Sequence, residues 1–303
     1  MNHELRDKEI NILGVEINTL NKDQVVNKID QFLLSQNKHY IVTPNPEFLM
    51  VAQKDQEFKN ILNKADLAVP DGIGLLWASS LIRSKIKDLF FIDRFPGRRQ
   101  RSTRIKVYLK SIFYGLMLIL YPKYCQKVIS ERITGTDLIF DIAKLCEQKK
   151  CSIFLLGAKE GVAEVCALKL FKKYPNLKIS GTYSGNPEQK YDKHIVDILN
   201  NTKTDVLLVA YGHPKQEKWI SRNLSKLENI KVAIGVGGAF DFISGKVKRA
   251  PKIFRRLDLE WFYRVIRQPQ RFNRILTATW QFSNEVIEYK LKETWKDADR
   301  NAN

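Results

Sequence analysis

Short apolar runs that each end in glycine or turn-forming residues, with helical-period segments between them, set the strongest limit on what this chain can fold into. The runs are "HYIVTPN", "DLAVPDG", "CSIFLLG", "LKISGTYSG", "DVLLVAYG" and "KVAIGVGGAFDF". The segments between them include "PEFLMVAQKDQEFKNIL", "TGTDLIFDIAKLCEQ", "KEGVAEVCALKLFKKY", "QKYDKHIVDILNN" and "PKQEKWISRNL", all with apolar residues at helical spacing. Strand, helix, strand, helix in this order requires parallel strands joined by helical crossovers. The expected fold is therefore α/β, a Rossmann-like, mostly parallel sheet covered by helices.

Right-handed crossovers put every strand-to-helix loop at the carboxyl edge of such a sheet, where ligands bind. Five loops should meet there: Thr43 to Asn45, Pro70 to Gly72, Tyr183 to Asn186, the "GHPKQ" stretch, and Gly235 to Asp241. Their small and turn-forming residues suit a site that a ligand approaches at backbone distance. On this reading the polar residues of "GHPKQ" (Gly212 to Gln216) need not be buried.

The chain has 303 residues and a net charge of +18. That charge is not spread evenly. Between Arg83 and Arg132 there are thirteen Lys or Arg against three acids, and between Lys246 and Arg274 ten against two, which together account for the whole excess. Basicity patched onto an otherwise neutral domain is what docking on an anionic surface requires. The four cysteines have neither C-x-x-C spacing nor nearby histidines, so neither a zinc site nor a disulfide framework is indicated. "MNHELRDKEI" lacks the order of a signal peptide, and a cytoplasmic location is expected.

Two segments depart from the sheet plan. In the insertion 83–132, "RFPGRRQRSTR" leads into "IKVYLKSIFYGLMLILY", whose uncharged part is about a dozen residues against the ~20 a spanning helix needs. Two readings stand side by side: a helix lying in the headgroup region of an anionic bilayer, and a buried core helix. The second departure is the stretch 246–303, a helical appendage in which arginines alternate with Trp, Phe, Tyr, Ile and Leu. The expected organisation is an α/β core over 1–245, carrying the insertion, followed by this membrane-proximal appendage.

Asp71, in a tight Pro-Asp-Gly turn after an apolar run, is the strongest general-base candidate among the edge residues, although Asp is also an ordinary turn former. His213 has the more convenient intrinsic pKa and is the alternative base. Gln216 and Lys215 are equally placed to contact substrate. Nucleotide fingerprints are missing: "GVGGAF" is not G-x-G-x-x-G, and Val247 in "SGKVKR" replaces the Ser/Thr a P-loop needs. No Asp-x-Asp pair or His/Cys cluster marks a metal site, so no cofactor and no metal are expected. A phosphate leaving group would be met by Arg, Lys, backbone N–H groups and helix N-termini.

Taken in order, "TPNPEFL", "AVPDGIGLLWAS", "RITGTDLIFDIA", "LLGAKEGVAE", "GTYSG", "VAYGHPKQEKWI", "IGVGGAFDFISGKVKRAP" and "LEWFYRVIRQPQRFNR" resemble the WecG/TagA/CpsF family of bacterial glycosyltransferases (glycosyltransferase family 26), from about Ile12 to Arg274. The resemblance implies transfer of a sugar from a UDP-sugar to a polyprenyl-diphosphate-linked sugar at the cytoplasmic membrane face. The donor sugar implied by TagA-like members is N-acetylmannosamine, in teichoic acid or surface-polysaccharide synthesis; glucose or galactose for capsule or exopolysaccharide is the alternative. It implies that Asp71 is the base for direct, inverting attack and that Thr43, Asn45, Gln216 and Asp241 line the donor pocket. Arg264, Arg271 and Arg274 would hold the diphosphate; their spacing of seven and three places them on one side of a helix unless Pro269 breaks it. The insertion is the one large departure from the family pattern. The implied partners are the UDP-sugar, the lipid-linked acceptor and an anionic membrane surface, with no nucleic acid; self-association into a homo-oligomer is left open. A nucleic-acid-binding protein using the two basic patches and a nucleotide-sugar oxidoreductase are the competing classes; the first lacks an RNA- or DNA-reading signature, the second the glycine fingerprint.

Overall fold

The computed structural model describes residues 8–85, 99–251 and 276–300, together with Phe254, Tyr263 and Arg274. A six-stranded sheet runs through it in the order β4-β3-β8-β7-β5-β6, with every neighbouring pair parallel. Its strands are β3 (His39–Val42), β4 (Leu67–Ala68), β5 (Ser152–Gly157), β6 (Lys178–Tyr183), β7 (Val206–Ala210) and β8 (Val232–Gly235). A separate antiparallel hairpin, β1 (Glu9–Ile12) with β2 (Val15–Asn18), precedes them. Its two-residue turn, Leu13-Gly14, has φ of 56° and 80°, the left-handed geometry that a tight hairpin demands.

Strand side chains alternate between two cores. Ile153, Leu155, Val206 and Leu208 face one, under α1 (Lys22–Leu34), α6 (Gly135–Lys149), α7 (Val162–Lys173) and α10 (Ala239–Ser244). Phe154, Leu156, Leu207 and Val209 face the other. The second face carries the hairpin with α2 (Pro46–Ala52), α3 (Gln56–Asn63), α4 (Ile73–Arg83), α5 (Arg99–Leu120), α8 (Asp192–Asn200), α9 (Lys215–Asn223) and α11 (Phe282–Arg300). The result is a three-layer helix–sheet–helix stack, as the alternation of runs predicts. The single helix expected after "TPN" is broken in two, because Asp55 caps a new start by accepting from the Phe58 amide.

The insertion and the appendage both join the second core. Val107 on α5 is fully buried, and Tyr114, Met117 and Leu118 pack against the cluster. The opposite side of α5 is exposed, so this helix is a core element on one face and open on the other. From the appendage, Phe282, Val286, Ile287 and Leu291 of α11 are buried in the same cluster. Each such side chain contributes about 1.5–3 kcal/mol by burial. No helix among the described residues is long and apolar enough to cross a membrane.

Candidate active site

The carboxyl ends of β3, β8 and β7 lie side by side, and their loops are tied together by side chains. The Thr43 hydroxyl, at the end of β3, donates to the Gly235 carbonyl at the end of β8, 3.1 Å away. Gln216, in the first turn of α9, accepts at Oε1 from the amides of both Gly212 and Gly237, each at 3.0 Å. One amide oxygen thus joins the loop after β7 to the loop after β8. Its Nε2 donates to Glu217 Oε1 at 2.6 Å.

Here the structure corrects the sequence reading. The polar residues at this turn are not left in solvent: Gln216 is 1% exposed and Glu217 fully buried, while Lys215 is exposed. Lys215 and Gln216 are therefore not equivalent, since Gln216 braces the loops from beneath. Glu217, which sequence reasoning passed over, has no partner for Oε2 among the described residues, and burial pushes its pKa up to about 7 against a weaker lowering by the Gln216 hydrogen bond. The Tyr40 hydroxyl is likewise buried without a partner among the described residues, its pKa raised by burial and by the Glu217 charge.

Asp71 follows β4 in a turn set by local chemistry. Its amide donates to the Pro44 carbonyl at 2.8 Å, and Gly72 takes φ 146°, with Pro46 Cδ 3.1 Å from where a Cβ would stand. A side chain at 72 would be strained on both counts. The Asp71 carboxylate turns to the first turn of α6, where Oδ2 accepts from the Gly135 amide at 3.3 Å. A Cβ at Gly135 would lie 3.7 Å from the Val236 carbonyl and 4.0 Å from Asp71 Oδ2, so Gly135 neighbours both Asp71 and the β8 loop that Thr43 and Gln216 hold. The amide ends of α6 favour negative charge at this spot.

Asn45 caps α2, its side-chain oxygen accepting from the Phe48 amide at 3.1 Å, and packs next to Gly72. Asp241 lies in the first turn of α10; its carboxylate is 3.9 Å from a Cβ position on Gly238. His213 packs tilted against the Phe48 ring, with centroids 4.6 Å apart and planes 34° apart, and turns Nε2 toward Glu47 at 3.5 Å. Burial lowers its pKa, and the Arg274 charge adds to this, against an opposing pull from Glu47. Arg274 reaches the same Glu47 oxygen with Nε at 2.9 Å and Nη2 at 2.5 Å. The appendage therefore touches the rim of the site. Arg264, Arg271 and Pro269 lie outside the described residues.

Sequence reasoning also missed the clamp on α6. Thr134 caps that helix, and Arg249 pairs with Asp137 in its first turn at 3.0 and 3.4 Å. Burial raises the Asp137 pKa, but the hydrogen bonds from Arg249 and Thr134 outweigh it and hold the carboxyl below its ordinary value. The Thr-x-x-Asp spacing of "TGTD" was the available signal; the distant Arg249 had none.

A parallel sheet whose carboxyl-edge loops gather a carboxylate at a helix-terminal amide, a glutamine that braces two loops and an arginine at the rim has the layout of an α/β enzyme site. The sequence model described as "Glycosyl transferase WecG/TagA/CpsF family" matches residues 10–109 and 111–296. The chain belongs to that family and is a glycosyltransferase. Among curated relatives, an N-acetylglucosaminyldiphosphoundecaprenol N-acetyl-beta-D-mannosaminyltransferase of Bacillus subtilis (strain 168) is 30% identical over 279 residues, covering 89% of this chain and 91% of its own. Enzymes of the same name from Staphylococcus aureus (strain MRSA252) and Bacillus spizizenii (strain ATCC 23059 / NRRL B-14472 / W23) are 29% and 30% identical. They cover 88% and 83% of this chain and 88% and 80% of their own lengths.

Proposed function

We propose that this chain transfers N-acetylmannosamine from a UDP-linked donor to N-acetylglucosamine carried on a polyprenyl diphosphate, at the inner face of the cell membrane, in teichoic acid or related surface-polysaccharide synthesis. The observation that carries this reading is the meeting of Asp71, the first amide of α6 and the Thr43–Gly235–Gln216 brace on one sheet edge. The names of the relatives supply the sugars and the β configuration of the product.

A β product from an α-linked nucleotide sugar requires inversion, hence a single displacement. The Asp71 carboxylate takes the proton from the acceptor hydroxyl as its oxygen bonds to the anomeric carbon. The bond from that carbon to the diphosphate oxygen breaks, and UDP departs with the electron pair. Asn45, Thr43, Gln216 and Asp241 shape the donor pocket, Gln216 by fixing two loop amides rather than by facing solvent. Arg274 exchanges its Glu47 partner for diphosphate and offsets the charge that develops on the leaving group; Arg264 and Arg271 share that role.

Purified protein offered a panel of UDP-sugars with a polyprenyl-diphosphate-linked N-acetylglucosamine acceptor tests the assignment. UDP-N-acetylmannosamine is expected to be consumed fastest, with no loss of rate in a chelator. Faster use of UDP-glucose or UDP-galactose would move the enzyme to capsule or exopolysaccharide synthesis.

A further inference from the structure

The exposed side of α5 is an almost unbroken apolar surface. Ile105, Leu109, Ile112, Leu116, Ile119 and Leu120 recur at three-, four- and one-residue steps along it, with Ile112 58% and Leu120 73% exposed. At 3.6 residues per turn these positions, with Tyr108 and Phe113 at the margins, span an arc of roughly 140°. The stripe runs about 22 Å, too short to cross a ~30 Å hydrocarbon core but long enough to lie along its surface. The inner side is fully engaged: Val107 is buried, and the Ser111 carbonyl accepts from the Trp77 indole at 3.0 Å. The outward stripe is thus not a core face awaiting rotation.

The charge around the stripe selects its occupant. From Arg99 to Lys127 every charged residue is Lys or Arg, with no Asp or Glu among them; of these, Lys106 is buried and turned away from the stripe's surroundings. At the first turns of the stripe Arg104, held by Glu288 at 2.7 Å, borders a shallow hollow with Ile105, Tyr108 and Leu109. At the far end Tyr121 is exposed beside Lys123 and Lys127. Cations and tyrosines flanking an apolar strip match an anionic headgroup layer over acyl chains. A second copy packed stripe to stripe about a two-fold axis would instead set one all-cationic segment against another.

We propose that the outer face of α5 is a docking surface that seats the enzyme in the headgroup layer of an anionic bilayer. This deepens the reading above, because it rests on the acceptor being lipid-linked. The helix is mechanically close to the chemistry. Trp77, which holds Ser111, lies 6.3 Å from the Phe282 ring, and Phe282 Cε1 is 3.5 Å from a Cβ position on Gly74, three residues beyond Asp71. A bilayer gripping α5 therefore holds the helix that carries the Asp71 turn.

The test compares full-length protein with the Ile112→Glu/Leu116→Glu variant, whose substituted positions are exposed, by co-sedimentation with phosphatidylcholine vesicles containing or lacking phosphatidylglycerol. Without substrate, wild type is expected to bind the anionic vesicles, and the variant at least ~10-fold more weakly. A Leu109→Trp reporter should shift to the blue on those vesicles and be quenched by spin-labelled acyl chains. Equal binding by wild type and variant, or a reporter that stays in water, would overturn the proposal. So would a wild-type dimer that the variant dissociates, since a second copy would then cover the face. Turnover of a water-soluble, short-chain diphosphate-linked N-acetylglucosamine is read separately and should be the same in both proteins. Absence of all turnover would count against the proposed reaction and leave vesicle binding to decide the docking surface.

Discussion

Gln216 occupies its place only because residue 235 has no side chain: a Cβ on Gly235 would stand 2.7 Å from Gln216 Nε2 and 2.6 Å from Glu217 Oε1. Both atoms are buried and hydrogen-bonded to each other, so neither can swing into solvent. Gly235→Ala must displace Gln216 from the Gly212 and Gly237 amides, loosening the loops after β7 and β8 together. The expected cost is roughly 1–3 kcal/mol of stability and a fall in kcat of at least ~10-fold. Urea unfolding and steady-state rates measure the two; an alanine variant matching wild type in both would mean the loops are held otherwise.

Glu217 makes stability depend on pH. Its folded pKa of about 7 lies above the ordinary 4.5, so the folded state binds the extra proton. The stability linked to that proton is present below about pH 4.5 and is lost as pH rises through 7, an effect of roughly 3 kcal/mol. Glu217→Gln cannot ionise and still offers Oε1 to Gln216. It should gain stability relative to wild type at pH 8 and little at pH 5, read as urea midpoints; an equal difference at both pH values would contradict a buried, ionising Glu217.

Arg274 sits 51% exposed on its side chain, paired with Glu47, so the pair itself contributes little to folding. Arg274→Ala should therefore unfold within ~1 kcal/mol of wild type while losing ~10- to 100-fold in kcat/KM, because diphosphate charge goes unmet. Comparable losses with a diphosphate-free donor analogue in binding assays would point to a general distortion instead.

His213 is held neutral by burial with its Nε2 turned to Glu47 and its ring on Phe48. Its lowered pKa means that the associated stability is complete above about 6.5 and is lost as pH falls through the folded value. His213→Asn should keep turnover within ~10-fold and leave the pH–rate profile unchanged in shape. A lost inflection would transfer the base role from Asp71 to His213.

The large elements were legible because their signals are local. "CSIFLLG" and "DVLLVA" state their strands without help from the rest of the chain, and glycine or proline after them marks the ligand edge. The β1–β2 hairpin was not read, since "EINI" and "VEIN" are four residues long and half polar. Position 71 could be singled out from its turn, yet nothing local reveals that its carboxylate meets the Gly135 amide, which follows the long insertion. The burial of Gln216 and Glu217 was illegible for the same reason: it depends on Gly235, at the end of the neighbouring strand. Of the two readings of α5, the core reading describes its inner face, and the bilayer reading is the proposal made for its outer one. Periodicity alone cannot say which neighbours a helix will meet.

The most direct test is Asp71→Asn, assayed for UDP-sugar binding and for single-turnover transfer. Loss of the proton acceptor with the turn intact should slow the chemical step by ~10²–10⁴-fold while the donor dissociation constant stays within a few-fold of wild type. Transfer at the wild-type rate with normal donor binding would contradict the assignment of Asp71 as the base.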